Sequence, residues 1–453
     1  MFSKASIVAL TLGLIVASFI TSAIASDPKW REKQEARFEQ IGLKPGDIIE
    51  PADWKKVDGL LPPSMVGWVK KGYLDDMKIV EFKYDPEADD EWVNAGKKNA
   101  GKFKVDGKKN LVEATTGKPP LWVYGEPFPN LDIANDPDGG IKFMYNRDLS
   151  LRRFGQYKQG FSVEWVGEHG FERSLDGIYA RYYYWARPDG QVRNPKKRRF
   201  LDIVAVTEPY DVSGTVVLTV RKLNGTEDDV YAYIPAIRRA KKLSGANRSD
   251  PFMGTDLCVD DAALWQGLAN SMKWRFLEEK VGLLCVVEWV SEHPNRMKEL
   301  PDGTWKSPAD EISPKYGWEV KDWDRAQWAP VNVVWIPRTF VVVEAIPLDP
   351  YYNYAKSVMW IDKDTYATCY KPVWNRAGEY WKTLLFLPRC AQWGSKRGFQ
   401  TGSGTFVFDE KTKHATTGRH GGPWRSRSYS TEFQKPEINT RMFTVENLRM
   451  WSK

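Results

Sequence analysis

Alternation of apolar and polar positions is the main pattern along this chain. In residues 215–223, Val216, Leu218 and Val220 alternate with mostly polar neighbours, which is the two-residue period of a half-buried β-strand. The Asn224-Gly225 pair that follows is typical of a tight hairpin turn. The pattern therefore predicts a hairpin with one face of each strand covered.

The same reasoning predicts strands along most of the chain. They are expected at residues 77–82, 141–145, 179–185, 200–206, 230–235, 285–290, 338–346, 357–362, 366–370, 379–387 and, more weakly, 405–408. Tight polar turns separate many of them, which predicts an antiparallel meander.

Few segments have the spacing of an amphipathic helix. Residues 30–41 and 65–71 have it, and so does a short segment at 262–270 with Leu264 and Leu268 on one side. This last helix either covers the mouth of a cavity or packs permanently on the sheet, and the sequence leaves both alternatives open.

The N-terminus predicts export. Lys4 precedes an apolar run at residues 5–20, and Ala23-Ile24-Ala25 fits the small-residue cleavage pattern. We expect a Sec signal peptide at residues 1–25, cleaved after Ala25, and a periplasmic mature chain. The alternative is a retained N-terminal membrane anchor.

Composition excludes several classes of function. The 66 basic and 59 acidic residues are interspersed, so the formal charge of +7 forms no focused nucleic-acid patch. The four histidines are scattered, and no hydrolase elbow, phosphate-binding loop or dinucleotide motif is present. We therefore expect no metal, no cofactor and no enzymatic activity.

Four cysteines in an exported chain predict disulfides. Pairing of Cys258 with Cys285, and of Cys369 with Cys390, closes the smallest loops, although sequence alone does not choose among the three possible pairings. No C-x-x-C pair points to a redox role.

Aromatic residues are abundant, with 21 Trp, 20 Tyr and 20 Phe. Such amphipathic rings suit a concave, largely apolar pocket with few polar anchors. They suit sugar stacking equally well, so both ligand classes remain open at this point.

A set of spaced motifs resembles a known family. The motifs are Tyr233-x-Pro235-x-x-Arg238-Arg239, Leu243-Ser244-Gly245, Arg248-Ser249-Asp250-Pro251, Gly254-Thr255-Asp256, Asp260-Asp261, an upstream Pro127-Phe128-Pro129-Asn130 and a downstream Ile361-Asp362-Lys363-Asp364. Together they resemble a bacterial family of exported proteins labelled outer-membrane lipoprotein-sorting protein-like. The resemblance covers roughly residues 40–390.

The resemblance implies a mainly β, α+β fold: a strongly curved, incompletely closed antiparallel barrel of the LolA/LolB type, with helices in its mouth. We expect the half-barrel at residues 141–390. The polar segment 293–327, with its Pro and Gly breaks, is expected to be an insertion or a long loop within it. Residues 26–140 are expected to pack on the barrel as a helical and extended segment, and residues 391–453 to form a C-terminal extension.

The implied function is a periplasmic carrier for a lipid or other hydrophobic ligand, acting beside a resistance-nodulation-division transporter and an outer-membrane protein. The expected ligand-binding residues are Val216, Leu218, Val220, Tyr231, Tyr233, Arg238, Arg239, Leu264, Trp265, Leu268, Phe340, Val342 and Trp360. Two other classes of function remain open. One is a carbohydrate-binding protein or hydrolase with an aromatic groove, and the other is a structural adaptor for an envelope pump.

Arg238 and Arg239 have two possible roles. If they continue the strand, these adjacent residues point to opposite faces and cannot both reach one ligand. One of them either pairs with an aspartate of the following motifs or meets an anionic headgroup.

Overall fold

The computed structural model describes residues 28–86, 90–307, 313–392, 399–424, 427–429 and 431–452. The predicted signal peptide lies outside these residues. The helices in the described part are α1 (Pro28–Ile41), α2 (Pro63–Lys70), α3 (Asp90–Lys97), α4 (Gly139–Ser150), α5 (Glu288–Glu292) and α6 (Leu448–Trp451). None of them combines the length and the apolar run that a membrane crossing requires.

Strands make up most of the regular structure. The strands are β1 (Ile48–Ile49), β2 (Met77–Lys78), β3 (Phe103–Val105), β4 (Leu111–Glu113), β5 (Gln156–Gly167), β6 (Gly170–Tyr183), β7 (Arg198–Glu208), β8 (Val216–Lys222), β9 (Asp229–Ile234), β10 (Arg239–Leu243), β11 (Met272–Val287), β12 (Asn295–Arg296), β13 (Lys298–Glu299), β14 (Trp305–Lys306), β15 (Val333–Pro347), β16 (Tyr354–Asp362), β17 (Thr368–Asn375), β18 (Tyr380–Gln392), β19 (Phe399–Asp409), β20 (His414–His420), β21 (Gly422–Trp424), β22 (Arg427–Tyr429) and β23 (Thr431–Phe433).

One large antiparallel sheet organises the molecule. Its strand order is β10-β9-β8-β7-β6-β5-β20-β19-β18-β17-β16-β15-β11. Within the described residues, the two outermost strands, β10 and β11, are not paired with each other. The sheet therefore stays open along its length, which confirms the expected mainly β, incompletely closed architecture.

Short strands link distant parts of this sheet at one of its ends. From β5 the pairing continues through β23 and β14 to β13, while β12 pairs with β18. Met297 joins β12 to β13 along the chain. Because β5 and β18 are also linked through β20 and β19, the strands at this end form a ring. We call it the ring end.

Strand register divides the side chains between two faces. One face packs against α4 and the segment 252–271, and we call it the inner face. The opposite, outer face packs against the N-terminal helices at the β11–β20 side. At the β6–β9 side it packs against the C-terminal segment around Ile438, Phe443 and Leu448. Both faces are therefore covered over much of the sheet.

Helix α4 corrects the strand expected at residues 141–145. Ile141, Phe143 and Tyr145 alternate as in a strand, but the helical spacing Ile141, Tyr145, Leu149 is equally present. Almost every residue of α4 is buried, so no polar stripe reveals its period. Tertiary burial on all sides of the helix therefore hid its period in the sequence.

The helix expected at residues 262–270 is also wrong. A short 3-10 turn covers Val259–Leu264, and a second covers Ala269–Ser271. Ala263 and Leu264 have φ values of +48° and +61°, in the left-handed region that ends a helix. Their conformation turns the chain across the inner face and leaves backbone carbonyls available to other donors.

The structure holds all four cysteines as free, buried thiols, which corrects the expected pairing. Cys258 belongs to the inner-face core and Cys285 to the outer-face core, so the sheet separates them. Because Tyr370 pairs with Leu385, Cys369 and Cys390 are offset by four residues, or roughly 13 Å along the strand. That separation is well beyond the Cα distance of about 7 Å that a disulfide tolerates.

Candidate functional site

The segment 246–267 is fixed to the inner face by a buried ion-pair network. Arg248 donates from Nη1 to Asp228 Oδ2 at 2.6 Å and from Nε to Asp260 Oδ1 at 2.6 Å. Arg221 on β8 binds the same Asp228 at 2.8 and 3.0 Å. Burial alone would raise the pKa of Asp228, but the two guanidinium groups outweigh it and lower that pKa. The motif arginine therefore holds the segment to the sheet.

A second buried pair fixes the neighbouring part of this segment. Lys371 on β17 donates from Nζ to Asp261 Oδ1 at 2.6 Å, and Tyr354 on β16 donates to Asp261 Oδ2 at 2.6 Å. Burial opposes ionisation of Asp261, but Lys371 and Lys382 lower its pKa. The Asp260-Asp261 motif is therefore a structural anchor with two different cationic partners.

Helix α4 is tied to the same segment by Arg147. Its guanidinium donates to the carbonyl oxygens of Ala263 and Trp265, each at 2.7 Å, and to Thr368 Oγ1 at 3.0 Å. The left-handed backbone at Ala263 makes these carbonyls available. The segment 246–267 and α4 therefore form a fixed cover over this half of the inner face.

The remaining part of the inner face carries a row of side chains that are directly opposite one another across the strands. The register pairs Gln159 with Tyr179, Tyr179 with Val204, Val204 with Val217, and Val217 with Ala232. Tyr179, Val204 and Val217 are only half-buried. We call these five residues the trough. It is a largely apolar strip that crosses strands β5 to β9.

A buried cation lies at the ring-end limit of the trough. Arg389 on β18 has 1% of its surface exposed, and its Nη2 donates to Thr431 Oγ1 at 3.3 Å. Thr431 pairs with Gln159 across β23 and β5, and Gln159 Nε2 donates to the same Thr431 oxygen at 3.0 Å. Thr431 therefore connects Arg389 to Gln159, the first residue of the trough.

The charge of Arg389 affects the neighbouring His420. Burial lowers the pKa of Arg389 to about 9, so the guanidinium remains charged at neutral pH. Burial, reinforced by Arg389, lowers the pKa of His420 to about 4. His420 is therefore neutral at neutral pH, although part of its ring remains accessible. The two side chains together carry a single positive charge.

Small cavities are present in the described part of the molecule. One lies between the N-terminal segment and the sheet and is lined by residues that include Phe82, Tyr84, Val286 and Arg389. Another lies beside α4 at Asp148 and Arg152. Each has room for about one water molecule, far less than the pockets of about 300 to 1,000 Å³ that enclose small molecules. These cavities do not provide the wide apolar hollow that the sequence suggested.

Most of the sequence-predicted ligand residues lie on the outer face. Those under the C-terminal segment are Val216, Leu218, Val220, Tyr231 and Tyr233. Those under the N-terminal helices are Phe340, Val342 and Trp360. The alternation was recognised correctly, but it does not reveal which of the two alternating sets faces inward, and a shift by one residue exchanges the faces.

The other predicted residues are divided between two places. Leu264, Trp265 and Leu268 are buried in the inner-face cover. Arg238 and Arg239 are exposed at the β10 edge. Neither arginine pairs with the aspartates of the following motifs, because Arg248, Lys371, His414 and Thr416 take those carboxylates.

Sequence analysis did not identify the trough or Arg389. Val204 and Val217 were correctly assigned to strands. Their partial exposure is a property of the folded chain and could not be identified from the alternating pattern. Arg389 is one of many arginines, and its lack of a carboxylate partner is a property of the folded chain. The described residues contain no group of His, Cys, Asp and Glu side chains that could hold a metal ion.

Comparison with solved structures finds several to which the chain is similar. A domain named for outer membrane lipoprotein sorting, from Vibrio parahaemolyticus, is 16% identical with a TM-score of 0.46, and a DUF1329 family protein from Desulfovibrio piger is 14% identical with a TM-score of 0.45. Each alignment covers 69% of this chain and 100% of the other. A LolA superfamily protein from Nitrosomonas europaea is 11% identical with a TM-score of 0.36, over 66% of this chain and 94% of the other.

No curated protein sequence matches the chain. The sequence signature of one family, described as a protein of unknown function (DUF1329), matches residues 48–449. This match spans most of the chain and includes the sheet, its cover and the trough. The chain therefore belongs to the DUF1329 family.

Proposed function

We propose that this protein is a non-enzymatic carrier that binds the apolar part of an amphiphile along the trough. The observation that carries the proposal is the aligned, half-buried row Tyr179, Val204, Val217 on the inner face of an open sheet. Half-buried apolar side chains gain stability when a hydrocarbon covers them.

The dimensions of the trough suit one acyl chain. Four strand-to-strand steps separate Gln159 from Ala232. At about 4.8 Å a step, the trough is about 19 Å long, and its half-buried part, from Tyr179 to Val217, accounts for about 10 Å of that length. One lipid tail spans about half of a hydrocarbon core that is about 30 Å thick. Each methylene group removed from water would contribute about 0.8 kcal/mol, so binding needs no covalent step.

The proposed location and partners rest on the sequence. The signal-like N-terminus supports a periplasmic protein, and the motif resemblance supports action beside a resistance-nodulation-division transporter and an outer-membrane protein. In this role the open sheet would accept an amphiphile from one envelope protein and release it to another.

Native mass spectrometry of the protein purified from its host tests the proposal. We expect a bound species whose mass and solvent-extracted product identify an acyl amphiphile. A protein that carries no lipid and shifts its intrinsic fluorescence only with oligosaccharides would contradict the proposal and support the carbohydrate-binding alternative. A lipid-free protein that co-purifies with a pump would support the adaptor alternative.

A matched pair of variants tests the position of the ligand. Val217→Glu places a charge in the trough, whereas Ile178→Glu places one at a half-buried aliphatic position on the outer side of β6. We expect Val217→Glu to reduce the bound lipid at least about tenfold, because a carboxylate opposes contact with hydrocarbon. Ile178→Glu should retain it. Equal retention in the two folded variants would contradict the placement.

A further inference from the structure

Arg389 differs from the other fully buried arginines in its partners. Arg221 and Arg338 form ion pairs with Asp228 and Asp362, and Arg147 donates to three oxygen atoms. Within the described residues, Arg389 Nε and Nη1 have no acceptor, and no carboxylate lies within ion-pair distance of this side chain. A buried, unpaired charge is costly, so it calls for a specific explanation.

Arg389 lines the cavity that Phe82, Tyr84 and Val286 also line, and a small polar group lies beside its Nη2 atom. Thr431 and Gln159 supply the polar group, and both are nearly fully buried. The apolar core of the ring end contains Phe154, Met297, Ala391 and Phe433. A charge in such surroundings interacts more strongly with an oxyanion than a charge in water does.

Close packing shapes this part of the ring end. Gly402 on β19 lies between the rings of Phe386 and His420, and a Cβ atom at this position would be 2.6 Å and 2.7 Å from them. His420 Nε2 is 3.5 Å from Thr405 Oγ1. Being neutral at neutral pH, His420 adds no second positive charge to that of Arg389.

We infer that Arg389 binds the anionic headgroup, a carboxylate or phosphate, of an amphiphile whose tail lies along the trough. This inference rests on the proposed carrier function and names its ligand class. An oxyanion would accept hydrogen bonds from the guanidinium donors that lack an acceptor, and charge-assisted bonds of this kind are among the strongest in proteins. Thr431 and Gln159 connect the headgroup position to the first residue pair of the trough.

Calorimetric titration of the delipidated protein with matched probes tests the headgroup site. The probes are palmitate, hexadecyl phosphate and the neutral hexadecanol, with inorganic phosphate and acetate as tail-free anions. We expect palmitate or hexadecyl phosphate to bind at least about tenfold more tightly than hexadecanol, since only the anions can engage Arg389.

Three variants separate a role in binding from a role in folding. Arg389→Gln should remove the preference for the anions and leave hexadecanol affinity unchanged, and Arg389→Lys should retain part of the preference. Arg376→Gln, an equal change of charge in an exposed turn, should have no effect. In addition, Arg389→Gln should raise the Tm of the lipid-free protein, because it removes a buried, unpaired charge.

The outcomes distinguish the headgroup site from the carrier function. Binding of all three amphiphiles with equal affinity would contradict the headgroup site and leave the carrier function standing. Failure of every amphiphile to bind would contradict the carrier function itself. If inorganic phosphate binds tightly and a tail does not increase the affinity, the site takes a free anion. If both Arg389 variants have a lowered Tm, the role of Arg389 is structural.

Discussion

At the scale of single residues, the buried charges divide into two kinds. Arg248, Arg221 and Lys371 neutralise aspartates that anchor the cover, so they serve the fold. Arg389 has no such partner among the described residues. The motif arginines were visible in the sequence because of their spacing. Arg389 could not be recognised in the sequence, because its lack of a carboxylate partner depends on which side chains the fold brings near it.

The neutral state of His420 predicts a loss of stability in acid. Its pKa of about 4 in the folded chain lies below the value of about 6.5 expected after unfolding. As the pH falls from about 6.5 to about 4, the unfolded chain binds a proton that the folded chain does not. This contribution to stability is therefore fully present above about pH 6.5 and is lost toward pH 4.

Urea denaturation at pH 7 and pH 4.5 measures this effect. Because the ring retains some exposure, we expect His420 to account for about 1 to 2 kcal/mol of the lost stability. His420→Asn should remove that part of the pH dependence, and the exposed control His293→Asn should not. An unchanged pH dependence in His420→Asn would contradict a neutral, buried imidazole.

At the scale of secondary-structure elements, the strands were predicted better than the helices. Strands 200–206 and 357–362 lie within β7 and β16, because a two-residue period is a local signal. Helix α4 was misread as a strand, since burial on all sides hid its period. The inner and outer faces of β8 could not be told apart, because register depends on the rest of the sheet.

The segment that covers the inner face depends on Arg248. We expect Arg248→Met to lower the free energy of unfolding by about 3 to 5 kcal/mol, because Asp260 then loses its guanidinium partner in a buried site. Lys242→Met removes an exposed pair with Asp229 and a contact with the Tyr231 ring, so it should lower the free energy of unfolding much less than Arg248→Met does.

Hydrogen exchange adds a local measurement to this comparison. The amides of residues 246–267 should exchange faster in Arg248→Met than in the parent protein, and those of β15 should change less, because that strand lies inside the sheet. Uniform acceleration over both regions would contradict a local anchor.

At the scale of the whole molecule, antiparallel pairing was predicted from the residue pattern and incomplete closure from the family resemblance, but the ring end was predicted by neither. The turns of the meander are local and carry turn-forming residues. The ring end depends on pairings between short strands far apart in the chain, such as β14 with β23 and β12 with β18. Strands of two or three residues leave almost no periodic signal. Their closure nevertheless positions Arg389 at the end of the trough.

The most direct test of this account is to map where a hydrocarbon tail lies. A palmitate with a diazirine near the end of its tail should, on irradiation, label peptides that contain Tyr179, Val204 or Val217 on the inner face. Labelling confined to the outer-face cores, or to the cavity beside Phe82 and Val286, would contradict a ligand in the trough.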